Sequence, residues 1–352
     1  MKSHFVAGDL SDHEGRLHQT HARAREAKSV RRIFPALALF IVAPLVAEFL
    51  PGNMSVTHLG LLVILAPLYG GGALLIRECV RRSGRGWPSI FVLALAYGIL
   101  EEAFLIESLF NPNFLGQNLH LLKPAFIPLF GVGAWYTVFV LTLHTVWSIS
   151  VPIALTEALV PERADSAWMG RLGIGVIAAA FVLACVSVGS FSIRLDSDHF
   201  VASLAQFTWS AVIILALIAS AFFIPTPHKV MRTGPVPNPW ILGIGSFALA
   251  SAFLLVPREL GWWAVLVYLS LDALAILLIG IWCGRAGWGA IHRLSLAGGA
   301  AMAYGWHAFV QTPSLGKPDT VARIGNLLFA ILAASLVAAG ARRASAVRIS
   351  SG

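Results

Sequence analysis

The sequence predicts an all-α protein, a polytopic transmembrane helical bundle of about ten spans, and three observations predict it. Of 352 residues, 57% are hydrophobic and only 12% are charged, against roughly 25% charged in an ordinary soluble domain. One water-soluble core could not hide that much apolar surface, so the solvent for most of the chain is lipid. The apolar residues fall into runs of near-spanning length, about 20 residues each. Lys and Arg gather at alternate connections between the runs, as they do where positive loops are retained on one side of a bilayer.

The runs are 33–50, 58–77, 88–110, 129–157, 171–193, 205–224, 240–256, 261–283, 293–312 and 321–341. None shows two-residue alternation, and hydrocarbon offers no water to an open strand edge, so each reads as a helix. Arg31 and Arg32 precede the first run. The second ends among Arg77, Arg81, Arg82 and Arg85. Asn111-Pro112-Asn113 closes the third, because Asn favours turns and Pro cannot extend the ladder. Arg163 and Arg171 separate the fourth from the fifth. Pro225, Pro227, Lys229, Arg232, Pro235 and Pro237 fill the loop between the sixth and seventh. Arg285 and Arg293 separate the eighth from the ninth, and Arg342, Arg343 and Arg348 follow the tenth. The opposite connections carry little beyond Lys123, Arg194, Arg258 and Lys317. Ten spans in a cell membrane with both termini cytoplasmic make this bias consistent. The expected domains are a disordered basic tail over 1–32, a helical domain over 33–343 and a short cytoplasmic tail over 344–352.

The net charge of +8 is spread between the runs, not gathered on one face, which points to membrane orientation and away from nucleic acid; the lipid bilayer is the expected partner. Cys79, Cys185 and Cys283 form no CxxC pair, so neither a disulfide framework nor a thiolate zinc site is indicated. Trp87, Trp168, Trp240, Trp262, Trp263 and Trp288 lie at helix ends and read as interface anchors. Gly70, Gly71 and Gly72, with Gly298 and Gly299, read as close-packing sites.

Ionisable side chains inside a span cost several kcal/mol unless they pair, line water or bind a ligand. The candidates are Glu48, Glu101, Glu102, Glu107, His144, Asp272 and His307, with Ser148 and Gln311 on the same stripes as His144 and His307. A shared polar cavity would rationalise all of them. Glu78, beside Arg77 at a helix end, reads as a snorkelled ion pair. Adjacent Glu101 and Glu102 project about 100° apart, and two carboxyls so close in low dielectric resist joint ionisation, which suits a proton donor or base.

Glu101-Glu102, followed by His144 on the next helix, resembles the CAAX-protease and bacteriocin-processing (CPBP) family of intramembrane metalloproteases over residues 88–157. The family motifs continue EExxxR, FxxxH and HxxxN or HxxxD; here Ile106 and Val140 stand in the arginine and phenylalanine slots. The resemblance implies catalytic Glu101, Glu102 and His144, a zinc held by Glu102 and His144 with His307 as a third ligand, and a membrane peptide as substrate. The stretch Tyr69 to Glu78, with Arg85-Gly86-Trp87, Tyr97-Gly98 and Ser108 to Pro112, is similar to uncharacterised multi-pass proteins of high-GC bacteria. Three readings stay open from the residues: a metal-dependent hydrolase, a proton-coupled transporter of a small solute, and a scaffold whose buried Glu and His fix helix register.

Overall fold

Ten helices alternate along the chain in the computed structural model, which describes residues 33–114, 120–195, 199–225 and 233–350. They are α1 (Ile33–Phe49), α2 (Val56–Arg82), α3 (Trp87–Leu105), α4 (Ala134–Leu159), α5 (Arg171–Arg194), α6 (Leu204–Phe223), α7 (Pro239–Leu254), α8 (Trp262–Cys283), α9 (Ala290–His307) and α10 (Thr320–Ser350). Seven of these, α2 to α6, α8 and α10, are long and apolar enough to cross a membrane. The other three, α1, α7 and α9, are shorter or more polar, so the number ten is approximate as a span count. The tail 1–32, Lys229 and Arg232 lie outside the described residues.

Five boundaries lie five or more residues from expectation, at the ends of α2, α3, α9 and α10 and the start of α4, two of them for evident local reasons. Helix α3 stops at Leu105 because the chain turns at Glu107, whose φ of 54° no α-helix accommodates. Helix α4 starts at Ala134 because the preceding residues form a hairpin, β1 (Phe126–Ile127) against β2 (Val132–Gly133). Helix α10 runs on to Ser350, nine residues past the end of its apolar run.

The helices sort into two layers. In α2, α3 and α4, 56%, 67% and 61% of the most apolar window is buried, against 6% in α5, 11% in α6, 17% in α8 and 22% in α10. The first three therefore form the protein interior, and the last four present their sides to lipid. Helix α4 is the hub. Trp147 stacks on Tyr304 of α9 at 4.6 Å and donates to the Ala300 carbonyl at 2.8 Å, while Phe139 packs on Tyr268 of α8. Lipid tails are as apolar as these rings, so fit and hydrogen bonding, more than exclusion of water, hold the helices together. Close fit needs small residues at crossings. A Cβ on Gly70 would stand 2.1 Å from the Phe40 carbonyl oxygen, which is how near α1 comes to α2.

The connections segregate to two ends. At one end Arg82 donates to the Met169 carbonyl, Ser89 to the Ala221 carbonyl and Arg285 to the Pro235 carbonyl. At the other, Ser314 and Asn53 pair, Met54 bridges Leu315, and Glu107 accepts from the Ala202 amide. The first is the Arg-rich end of the charge pattern.

The Arg-rich end is closed by a buried ion cluster, which corrects two expectations. Arg77 and Glu78 do not snorkel: both are 0% exposed. Arg77 and Arg81 each donate through Nε to Glu157 Oε1 at 3.0 Å, and Arg81 adds a second bond to Oε2 at 2.8 Å. Arg77 also reaches the carbonyls of Arg163, Ala164 and Ser166, while Glu78 accepts from the Trp168 amide at 2.7 Å. Trp168 is correspondingly not an interface anchor; its ring lies under the Arg77 guanidinium at 3.3 Å. Trp240, Trp262 and Trp263 do project outward at helix ends.

Candidate functional site

Four helices depart from regular α geometry, and the buried polar residues sit where they do. The π-helical turns are Leu45–Phe49 in α1, Ala66–Gly70 in α2, Glu101–Leu105 in α3 and His144–Ser150 in α4. They carry Glu48, Tyr69, Glu101 with Glu102, and His144 with Ser148. Single π turns inside α-helices recur at functional sites, because the extra residue re-aims side chains that a regular helix would scatter. Proline supplies a local cause for three of the four. Pro67 lies inside its turn, Pro44 just before one and Pro152 just after another, and each lacks the N–H that a regular ladder needs.

The turns converge. His144 Nε2 stands 2.6 Å from Glu102 Oε1, and Nδ1 stands 3.2 Å from Glu101 Oε2 and 3.1 Å from Ser148 Oγ. The imidazole is thus hydrogen-bonded to Glu102 at Nε2 and to Ser148 at Nδ1, with Glu101 Oε2 at ion-pair distance from Nδ1 but without a hydrogen bond of its own among the described residues. Glu102 Oε2 takes further donors, Ser108 from the α3–α4 connection and Tyr136 of α4 at 3.4 Å. On the other side, the Tyr69 hydroxyl contacts Glu101 Oε1 and, at 2.5 Å, Glu48 Oε1. Glu48 Oε2 accepts from Asn53 Nδ2 at 2.5 Å. Glu101 and Glu102 are each 3% exposed and His144 7%, so water reaches none of them freely. The result is one chain of polar groups across four helices: Glu48, Tyr69, Glu101, His144, Glu102.

An imidazole carrying a proton on each nitrogen donates to Glu102 at Nε2 and to Ser148 at Nδ1, and sets its positive charge 3.2 Å from the Glu101 carboxylate. Removing either proton leaves a nitrogen that can take one back from a protonated carboxyl. Such an arrangement exchanges protons without moving heavy atoms far.

Of the expected residues, the structure brings together Glu48, Glu101, Glu102, His144 and Ser148. It does not bring in the rest. Asp272 of α8 accepts from Thr142 at 3.0 Å; Thr142 lies two residues before His144 on α4 and so faces a different neighbour. Glu107 binds the Ala202 amide. The His307 ring lies edge-on to Trp306 at the end of α9, and the Gln311 amide closes the following turn on the His307 carbonyl. A single cavity holding all of them is not formed.

The metal set implied by the protease resemblance does not fit either. That set is Glu102, His144 and His307, with Glu101 beside the metal as the base. His307 is not beside them, and among the described residues no three His, Cys, Asp or Glu side chains are placed to hold a metal ion.

Tyr69, Tyr136, Ser108 and Asn53 escaped the sequence reading. A tyrosine in an apolar run reads as packing, and Ser108 and Asn53 lie in turns. The available signal was Tyr69 next to Gly70–Gly72, a polar hydroxyl at a position where helices are forced close.

No curated protein and no solved structure matches the chain. One family model does, over residues 37–349, and it is not that of the intramembrane proteases. The match takes in all of the bundle but its first four residues and its last, and every residue of the polar chain, and by it the protein belongs to an uncharacterised family of membrane proteins.

Proposed function

We propose that this protein is a proton-coupled membrane transporter of a small solute, with Glu101, His144 and Glu102 as its proton-exchange centre and its Arg-rich end in the cytoplasm. The observation that carries the reading is the imidazole held between two buried carboxyls, one at each ring nitrogen. A proton arriving at one edge can leave from the other, as a relay requires. Two further features support it. The centre lies on π turns of the interior helices, and single π turns recur at functional sites. The Arg77, Arg81 and Glu157 cluster closes the Arg-rich end, as one gate of a carrier must be closed at a time.

A metal-dependent hydrolase would need a third ligand beside Glu102 and His144, and among the described residues none is placed there. A peptide would also need room beside Glu101 and Glu102, which are packed closed.

The test is proton uptake into proteoliposomes under an imposed pH gradient, followed with an internal pH dye. Glu101→Gln and Glu102→Gln keep the shape of the side chains but cannot carry a proton. Each is expected to reduce uptake at least about a hundredfold, in line with loss of a positioned acid–base group. Uptake equal to wild type in both variants would contradict the proposal.

A further inference from the structure

The Tyr69 hydroxyl has one proton and faces two carboxyl oxygens, Glu48 Oε1 at 2.5 Å and Glu101 Oε1. A phenol can donate only once. Both contacts are hydrogen bonds only if one of the two carboxyls carries a proton and donates it to the phenol oxygen. Glu48, Tyr69 and Glu101 therefore share one proton beyond the hydroxyl's own, and either end can hold it.

This triple leads toward the surface at one end only. Glu48 Oε2 accepts from Asn53, and the Asn53 side-chain oxygen accepts from the exposed Ser314 hydroxyl at 2.6 Å. Asn53 is half-buried, so water stands within one residue of Glu48 at the end opposite the arginines. Toward the Arg-rich end no such chain exists among the described residues: below Ser148, the buried Ser150 and Thr156 hydroxyls have no hydrogen-bond partner before the Glu157 cluster.

We infer that Glu48 is the proton entry residue of this protein and Tyr69 the shuttle that delivers the proton to Glu101, from the end opposite the arginines. The inference rests on the relay reading of Glu101, His144 and Glu102. In the transfer step, protonated Glu48 gives its proton to Tyr69 Oη as the Tyr69 proton passes to the Glu101 carboxylate. One O–H bond breaks and one forms at each junction, the tyrosine ends as it began, and no co-reactant is consumed. Asn53 fixes Glu48 with Oε1 toward the phenol. The other titratable groups that face this path are Tyr304 of α9 near Glu48, Tyr97 of α3 and Cys185 of α5 near Glu101, and His144 and Glu102 beyond it. None of them lies between Glu48 and Glu101 in the hydrogen-bonded chain.

The experiment is a stopped-flow pH drop on the purified full-length protein, read by infrared absorption of protonated carboxyls. The Glu101 band is assigned by its loss in Glu101→Gln. Tyr69→Phe removes the hydroxyl and keeps the ring, while Glu48→Gln removes the entry acid and keeps its shape. Each is expected to slow protonation of Glu101 at least about tenfold while leaving its final extent within reach, the size of effect a single positioned proton donor gives. Protonation as fast as wild type in both variants overturns the inference. Proton uptake by liposomes of the same samples separates the two claims. If Glu101→Gln still abolishes uptake while Tyr69→Phe protonates normally, the relay stands and the entry route is wrong. If Glu101→Gln leaves uptake intact, the relay is wrong, and the infrared rates still decide whether Glu48 and Tyr69 deliver the proton.

Discussion

Arg77 and Glu157 show what a buried charge requires in this protein. Arg77 is fully covered, and every one of its donors but those left to packing meets an acceptor, two of them on Glu157 and Glu78. A buried ion pair contributes little net stability, because desolvation offsets attraction, but removing one partner strands the other. Glu157→Ala leaves Arg77 and Arg81 without their shared carboxylate. The expected loss is about 3–5 kcal/mol, measured as a lower thermal midpoint in detergent, with Glu157→Gln recovering part of it. Glu101, Glu102 and His144 were legible as a set because ionisable groups in apolar runs stand out. Arg77 and Glu157 were less so, since a charge at the end of a run can snorkel outward or turn inward, and only packing decides. Tyr69 was illegible for the opposite reason: its ring belongs in an apolar run and only its hydroxyl does not.

Helices were the most legible level, and the π turns within them the least. Each of the ten apolar runs overlaps one of the ten helices, because length and lipid leave the backbone no other way to satisfy its polar groups. Hydrophobicity carries no trace of a single extra residue in a turn, so the register that joins Glu101 to His144 could not be foreseen. That register depends on how closely α3 and α4 approach. A Cβ on Gly98 would lie 3.0 Å from His144 Cβ, tighter than ordinary contact. Gly98→Val is therefore expected to push α4 away, at a cost of about 1–3 kcal/mol for overpacking. Proton uptake should fall far more than the melting temperature suggests, since a shift of one ångström breaks the Glu102 contact. A variant that melts lower yet transports normally would show that the crossing does not set the relay.

At the level of the molecule, charge and hydropathy foretold a bundle with two chemically distinct ends, and the connections do segregate that way. What they could not foretell is the asymmetry of closure. The Arg-rich end is sealed by Glu157 with its two arginines, whereas the polar chain reaches the rim at Ser314 on the other side. On the transporter reading proposed above, such a state would be one half of an alternating cycle, in which a proton at the centre decides which end is linked to water. Everything in that cycle turns on the His144 ring exchanging protons at both edges. Nitrogen-15 magnetic resonance of His144 in lipid reads the two ring nitrogens separately. Near neutral pH both should appear as protonated, hydrogen-bonded nitrogens, with Glu101→Gln shifting Nδ1 and Glu102→Gln shifting Nε2. A ring with one nitrogen bare, and neither signal moved by either variant, would contradict the account.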